Sequence, residues 1–380
     1  MEKVIGLVTC NYSAKESGPL SASRPVASMP FLGRYRLVDF ALSNLVNSGI
    51  RTVGMVMPYN YRSLIDHVGS GKDWDLDRKN GGLFVLPGSA FGTSRTGARF
   101  LLRDLVHNKV FFTRSTADAV ILTTANFVYN IDLDEVYAAH KESGADVTVV
   151  TRPSCGTFND AVRFDVENGR VKGVHNGVKF GECMFLDCFV ISRKLLLDMF
   201  EWYAPTDYLD IFEAMAGDFG RINVQTFEFT GYVAPIFTKR DYYKSNMAML
   251  DMDVQDDLFP EERSIKTKAH DTPPAKNEVG SRVTNSRVSS GCRIYGNVSD
   301  SILGRDVIVE PGATVRSAII MQGCVIKTVP AWRTPSWTAT TSSPQVRSFA
   351  APPRTSSSRR SPASRSKENT PCLLTQSAGR

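Results

Sequence analysis

Spacing decides quickly which side chains of this sequence could do chemistry. Asp73, Asp75 and Asp77 alternate as calcium-loop carboxylates do, but the Gly and closing Glu of an EF-hand loop are missing, so they read as solvated loop charges. The five histidines (His67, His107, His140, His175, His270) and seven cysteines (Cys10, Cys155, Cys183, Cys188, Cys292, Cys324, Cys372) show no C-x-x-C pair and no metal-site spacing. That predicts reduced thiols and core or surface imidazoles. Tyr242 and Tyr243 could stack a base, but their setting suits packing a helix onto a sheet better. Arginine remains. Arg34, Arg36 and Arg95 lie in or beside glycine-bearing segments, and a guanidinium fork suits a phosphate as well as a structural carboxylate.

These groups need a scaffold, and the chain is long enough for two domains. Its 380 residues are 42% hydrophobic and 22% charged, which excludes a disordered chain and a small disulfide scaffold. No run approaches the ~18 apolar residues of a membrane span, and Met1 to Cys10 lacks a signal-peptide pattern, so a cytoplasmic protein without membrane attachment is expected. The net charge of +6 sits at one end: from Thr328 onward there are eight Lys/Arg and one Glu. The body is slightly acidic and makes no electrostatic case for nucleic acid.

Val4 to Val8 is an apolar run with the length of a buried parallel strand. Phe40 to Val46 has helical spacing that stops at Gly49, and Thr52 to Met57 reads as a strand closed by Pro58. Ala119 to Leu122 and Asp146 to Val150 add strands around a helix near Leu133 to Ser143. The alternation predicts a mostly parallel sheet covered by helices on both faces, a Rossmann-like α/β domain over residues 1–250.

Residues 251–280 are polar and Pro-bearing and read as a linker. In 281–327 a new period appears: Ile302, Ile308, Ile320 and Ile326 share one six-residue register with Thr314 as its gap, and Leu303, Val309 and Val315 share the next. This hexapeptide pattern predicts a left-handed parallel β-helix. It stops at Thr328, and residues 328–380 hold eleven serines and seven prolines. They read as a disordered tail or as a shifted reading frame. With suitable codons, the bases for Thr328 to Gln345 read from their third letter give G-A-R-V-E-N-A-V-V-D-R-N-N-V-I-P-A, which restores the hexapeptides. One nucleotide missing near Lys327 is therefore the expectation.

Pro30-Phe31-Leu32-Gly33-Arg34-Tyr35-Arg36-Leu37-Val38-Asp39-Phe40-Ala41-Leu42-Ser43-Asn44, followed by Val46-Asn47-Ser48-Gly49-Ile50, closely resembles the signature of bacterial glucose-1-phosphate adenylyltransferases. The resemblance implies a nucleotidyltransferase domain joined to a C-terminal left-handed β-helix, and a place in making ADP-glucose for glycogen. Attack of a sugar phosphate on ATP gathers negative charge, so such an enzyme needs a phosphate-cradling loop, a cationic side chain and carboxylate-held Mg²⁺.

Against that family's motifs this sequence departs at each part. The G-G-x-G-x-R loop is replaced by Thr9-Cys10-Asn11-Tyr12-Ser13-Ala14-Lys15-Glu16-Ser17-Gly18, with one glycine. Val26 stands at the lysine of R-x-K-P-A-V-P-F, although Arg24 stays. Asn126 replaces the metal-binding Asp of S-G-D-H-I-Y, and Pro235 replaces that of G-Y-W-R-D-V-G-T. Asn176 and Gly177 take the places of both charges of the sugar-phosphate segment E-K-P.

Losing these groups together while keeping the fold signature resembles a GlgD-type regulatory subunit. What that implies is a chain without intact catalytic residues or a bound cofactor, joined to a GlgC-type catalytic subunit in a heterotetramer whose Mg²⁺ sits at the catalytic partner. The resemblance also implies a sugar-phosphate or other anionic effector at Arg34, the basic position of G-G-K-Y-R, with Arg36 nearby and Arg95 matching the arginine of Y-R-G-T-A-D. For Arg36 a structural salt bridge is the expectation. The competing expectation is a catalytically active adenylyltransferase. A hexapeptide acyltransferase fails for want of a coil histidine to act as base.

Overall fold

The structure, a computed structural model, describes residues 3–12, 20–21, 24–88 and 98–328. Its strands before the β-helix are β1 (Val4–Thr9), β2 (Thr52–Met57), β3 (Gly82–Pro87), β4 (Ala119–Thr124), β5 (Phe127–Val128), β6 (Val147–Pro153), β7 (Phe158–Glu167), β8 (Arg170–Val178), β9 (Cys183–Ser192), β10 (Val224–Glu228) and β11 (Ala234–Pro235). A two-residue hairpin, Pro30–Phe31 with Tyr35–Arg36, precedes the first long helix.

All six residues of β1 are buried, as a strand covered on both faces requires. Nine strands form one sheet in the order β3-β2-β1-β4-β9-β6-β10-β8-β7. The four at its first end are parallel, β9 runs against them, and β6 pairs in parallel with β10. The expected parallel run is present through β3-β2-β1-β4, but four of the eight neighbouring pairs are antiparallel and the sheet as a whole is mixed.

Helix α1 (Leu37–Asn47) crosses from the hairpin to β2. The backbone N–H of Arg36 donates to Asp39 Oδ2 at 2.9 Å, fixing its first turn. Asp39 Oδ1 meets His67 Nε2 at 2.6 Å in the interior, so this histidine is a structural partner rather than a metal ligand. The helix packs so closely on the sheet that a Cβ at Gly6 would stand 2.9 Å from Leu45 Cδ2. Helix α2 (Leu133–Ser143) has the bounds its periodicity predicted, with Asp132 accepting from Asp134 N–H at its start and Gly144 in the left-handed region at its end.

The chain divides into two compact units, one of Met1–Phe31 and Tyr35–His270, the other of Leu32–Arg34 and Asp271–Arg380. The stretch read as a linker contains a helix, Met252–Leu258, and the Phe259 ring that follows stacks on Tyr35 at 5.4 Å between centroids.

The second unit is the expected left-handed parallel β-helix, whose strands stack in three parallel ladders. Val283, Val298 and Val315 stack on one side, Val288, Leu303 and Ile320 on the next, and Ile294, Val309 and Ile326 on the third. This corrects the register. Ile302 and Ile308 pair within the ladders but stand one residue before the inward series, and that series, Leu303, Val309 and Val315, continues into Ile320 and Ile326. The coils explain the slip: Arg282 pairs with Asn297 and Asn297 with Thr314, spacings of 15 and 17 residues, both short of three full hexapeptides. Asn285, Asp300 and Ser317 turn one corner of successive coils in the left-handed region, with Asn285 Nδ2 donating to Asp300 Oδ1 at 2.7 Å.

Cys10, Cys155, Cys183, Cys188 and Cys292 carry free thiols as expected, whereas Cys324 is disulfide-bonded. Among the described residues no helix is long and apolar enough to cross a membrane. The tail beyond Thr328, with its reading-frame expectation, lies outside the described residues.

Candidate functional site

In an open α/β sheet, ligands bind past the carboxyl ends of the strands where the strand order reverses. Here that point lies between β1 and β4, since β1 has β2 on one side and β4 on the other. Thr9 to Tyr12 leave one strand and Thr124 to Asn126 the other.

Asn126 is buried, and β5 immediately after it pairs antiparallel with β11, setting Pro235 opposite Phe127. Ile236 N–H donates to the Asn126 carbonyl at 2.7 Å. Two positions 109 residues apart in sequence, Asn126 and Pro235, are thus neighbours. A divalent cation needs carboxylate or carbonyl oxygens facing it. Pro235 offers no side-chain donor. The Asn126 carbonyl oxygen accepts from Thr124 Oγ1, and its amide donates to Asp187 Oδ2 at 3.0 Å. These residues do not fit Mg²⁺.

Asp187 is the residue that the motif comparison missed. It interrupts an otherwise apolar strand, and the pairing of β9 with β6 breaks register between Phe185 and Phe189, leaving Asp187 at φ 49° with its carboxylate in the interior. Its counter-ion is Arg99, whose Nε lies 2.6 Å from Asp187 Oδ2. Burial raises the Asp187 pKa, while the Arg99 charge and the Asn126 amide oppose that shift. The Arg99 guanidinium also sits 4.9 Å from the Phe237 ring centroid and donates to the Asp160 carbonyl. A lone charge within Cys183-Met184-Phe185-Leu186-Asp187-Cys188-Phe189-Val190-Ile191 was the available signal, because a buried carboxylate requires a partner.

Beside this pair lies a cavity of about 50 Å³, room for a few water molecules, lined by Arg99, Asn176, Asp187, Asp210 and Glu213 over Phe185 and Phe212. Asn176 therefore does share a site with Asn126's partner Asp187. Gly177 follows at a shift in the β7–β8 pairing with φ 85°. Asp210 accepts from the backbone N–H groups of Arg99, Phe100 and Phe212 at 3.0, 2.9 and 3.1 Å, yet burial outweighs these bonds and pushes its carboxyl up to about 6.

On the β1 side, Asn11 Nδ2 donates to Asp104 Oδ2 at 2.7 Å, holding the start of the altered loop inward. Thr9 Oγ1 and Asn11 Oδ1 are buried there without hydrogen-bond partners. Burial pushes the Tyr12 phenol well above its ordinary value; charge on Asp187 adds to the shift and Arg99 opposes it, so the ring stands close to that pair. Val26 is buried in a 3₁₀ turn, Val26–Ser28, and adds apolar contact where a lysine would add charge. Ser13 to Gly18 lie outside the described residues.

The three arginines fall in different places. Arg36 Nη1 donates to Ser28 Oγ at 2.6 Å and to the Ser63 carbonyl, a structural use of the guanidinium. Arg34 is exposed in the second unit, where its carbonyl accepts from Arg305 Nη2 at 3.0 Å. Gly33 beside it has φ 66° and no room for a Cβ, which would meet Ser289 Oγ at 2.5 Å. Arg95 lies outside the described residues.

Comparison with known proteins places this geometry. A family profile described as nucleotidyl transferase matches residues 18–155, and one described as the GlmU-like C-terminal hexapeptide matches residues 272–331. The chain is 33% identical to the glycogen biosynthesis protein GlgD of Bacillus subtilis over 82% of each chain. It is 35% identical to GlgD of Geobacillus stearothermophilus over 82% of this chain and 83% of that one. It is also 34% identical to the glucose-1-phosphate adenylyltransferase of Thermomicrobium roseum, over 84% and 81%. With the sheet, the crevice and the β-helix all in the expected order, the chain belongs to the glucose-1-phosphate adenylyltransferase family.

Proposed function

We propose that this chain is a non-catalytic GlgD-type subunit that supports ADP-glucose synthesis for glycogen by assembling with a GlgC-type catalytic chain, as a heterotetramer in the cytoplasm. The observation that carries the reading is the crevice between β1 and β4. Asn126 and Pro235 stand together there without a carboxylate facing outward, and the nearest anion, Asp187, is neutralised by Arg99. Phosphoryl chemistry at that point would lack the charge compensation it depends on. On this reading Mg²⁺ is held by the catalytic partner, and this chain contributes contacts and an anion-responsive surface that includes Arg34.

The test is pyrophosphate release from ATP and glucose-1-phosphate with Mg²⁺, first with this chain alone and then mixed with the catalytic-type chain of the same source. Silence alone, with a changed saturation curve for the mixture, is the expected result. Turnover by the single chain would favour the second reading, an active adenylyltransferase, for which Asp187 beside Asn126 is the one supporting observation.

A further inference from the structure

We propose that Arg99 is the resident cation of this crevice, a tethered positive charge that does for the fold what a bound divalent ion would do and so keeps the ion out. The proposal concerns this chain's own site and stands or falls separately from any role in an assembly.

Three segments converge on the Arg99 side chain, and a fourth holds its backbone. Asp187 on β9 takes the Arg99 Nε–H at 2.6 Å, with the two side chains 9% and 1% exposed. Asp160 on β7 offers its carbonyl, Phe237 just past β11 offers its ring face, and Asp210 holds the Arg99 backbone N–H at 3.0 Å. The same Asp187 oxygen accepts from Asn126, so the guanidinium is one carboxylate away from Asn126. A buried carboxylate needs a cation, and either a metal or a guanidinium can supply it, but not both in one small space. The cavity left beside Arg99 is about 50 Å³. The bulge that turns Asp187 inward at φ 49° fits a carboxylate positioned for a partner rather than tolerated by accident.

Removing the guanidinium would leave Asp187 without its counter-charge in a space that a hydrated or partly dehydrated cation could enter. The test uses the full chain and Mn²⁺ as the probe, counting bound ions by electron paramagnetic resonance and following Tm. The wild type should show no Mn²⁺ binding that Asp187→Asn removes, and Arg99→Lys should match it. Arg99→Met should melt lower, gain Mn²⁺ binding and recover part of its Tm with the ion, and the double variant Arg99→Met with Asp187→Asn should lose that gain. The proposal is overturned if the wild type binds Mn²⁺ through Asp187, or if Arg99→Met melts like the wild type and stays blind to Mn²⁺. Should Arg99→Met fail to fold, the Mn²⁺ count on the wild type and Asp187→Asn decides alone.

Discussion

An amide and a carboxylate are nearly the same size, but at residue 126 they would have opposite consequences. The Asn126 amide donates to Asp187 at 3.0 Å, so Asn126→Asp would set two buried carboxylates against each other. We expect that variant to lose about 3 kcal/mol at neutral pH, comparable to leaving a charge buried without its partner, and to recover part of it in mild acid, where the two carboxyls share a proton. Urea unfolding at two pH values measures this; equal loss at both would show that charge is not the cause. Asp210 predicts a second pH effect. Its pKa is raised from 3.8 to about 6, so the folded chain holds this proton more tightly than the unfolded chain does. Its contribution is fully present at low pH and is lost as pH rises between those values. Relative to Asp210→Asn, the wild type should therefore lose Tm across that window. A parallel shift of the two proteins would contradict it.

Elements carry their own tests, because close packing makes single methyl groups count. Gly6→Val on β1 would force its side chain into Leu45 on α1, where even a Cβ comes within 2.9 Å, and should cost roughly 1–3 kcal/mol by overpacking. In the β-helix, Leu303 is fully buried within a ladder while Ile308 is only half-buried. Leu303→Ala should therefore cost about 2–5 kcal/mol and Ile308→Ala clearly less. Comparable losses would restore the register read from sequence. That reading found the period and missed the phase because coils of 15 and 17 residues shift the inward position by one at a corner, and a run of isoleucines masks the shift.

At the scale of the whole molecule, the basic tail and the slightly acidic body are separate problems. Mass spectrometry of the protein from its natural source tests the tail. A mass equal to that of the 380 residues as written would refute the shifted frame, whereas a C-terminal peptide reading through the hexapeptides would support it. Function belongs to this scale too: on the proposed reading, a chain that keeps its sheet and β-helix but neutralises its own crevice acts through what it binds.

Local sequence was enough for the strands that build the sheet, for the span of α2, and for the family signature around Arg34 to Asn44, because apolar period acts over a few neighbours. The family resemblance singled out Asn126 and Pro235, and the structure sets them side by side. What only the tertiary structure decided is why those changes are tolerated. Asp187, Arg99 and Asp210 lie far apart in sequence and match no motif at short spacing, yet a bulge, a bend and a helix start bring them within hydrogen-bond reach. Long-range charge pairing leaves little trace in local periodicity, because a buried charge is satisfied by whichever partner the fold delivers.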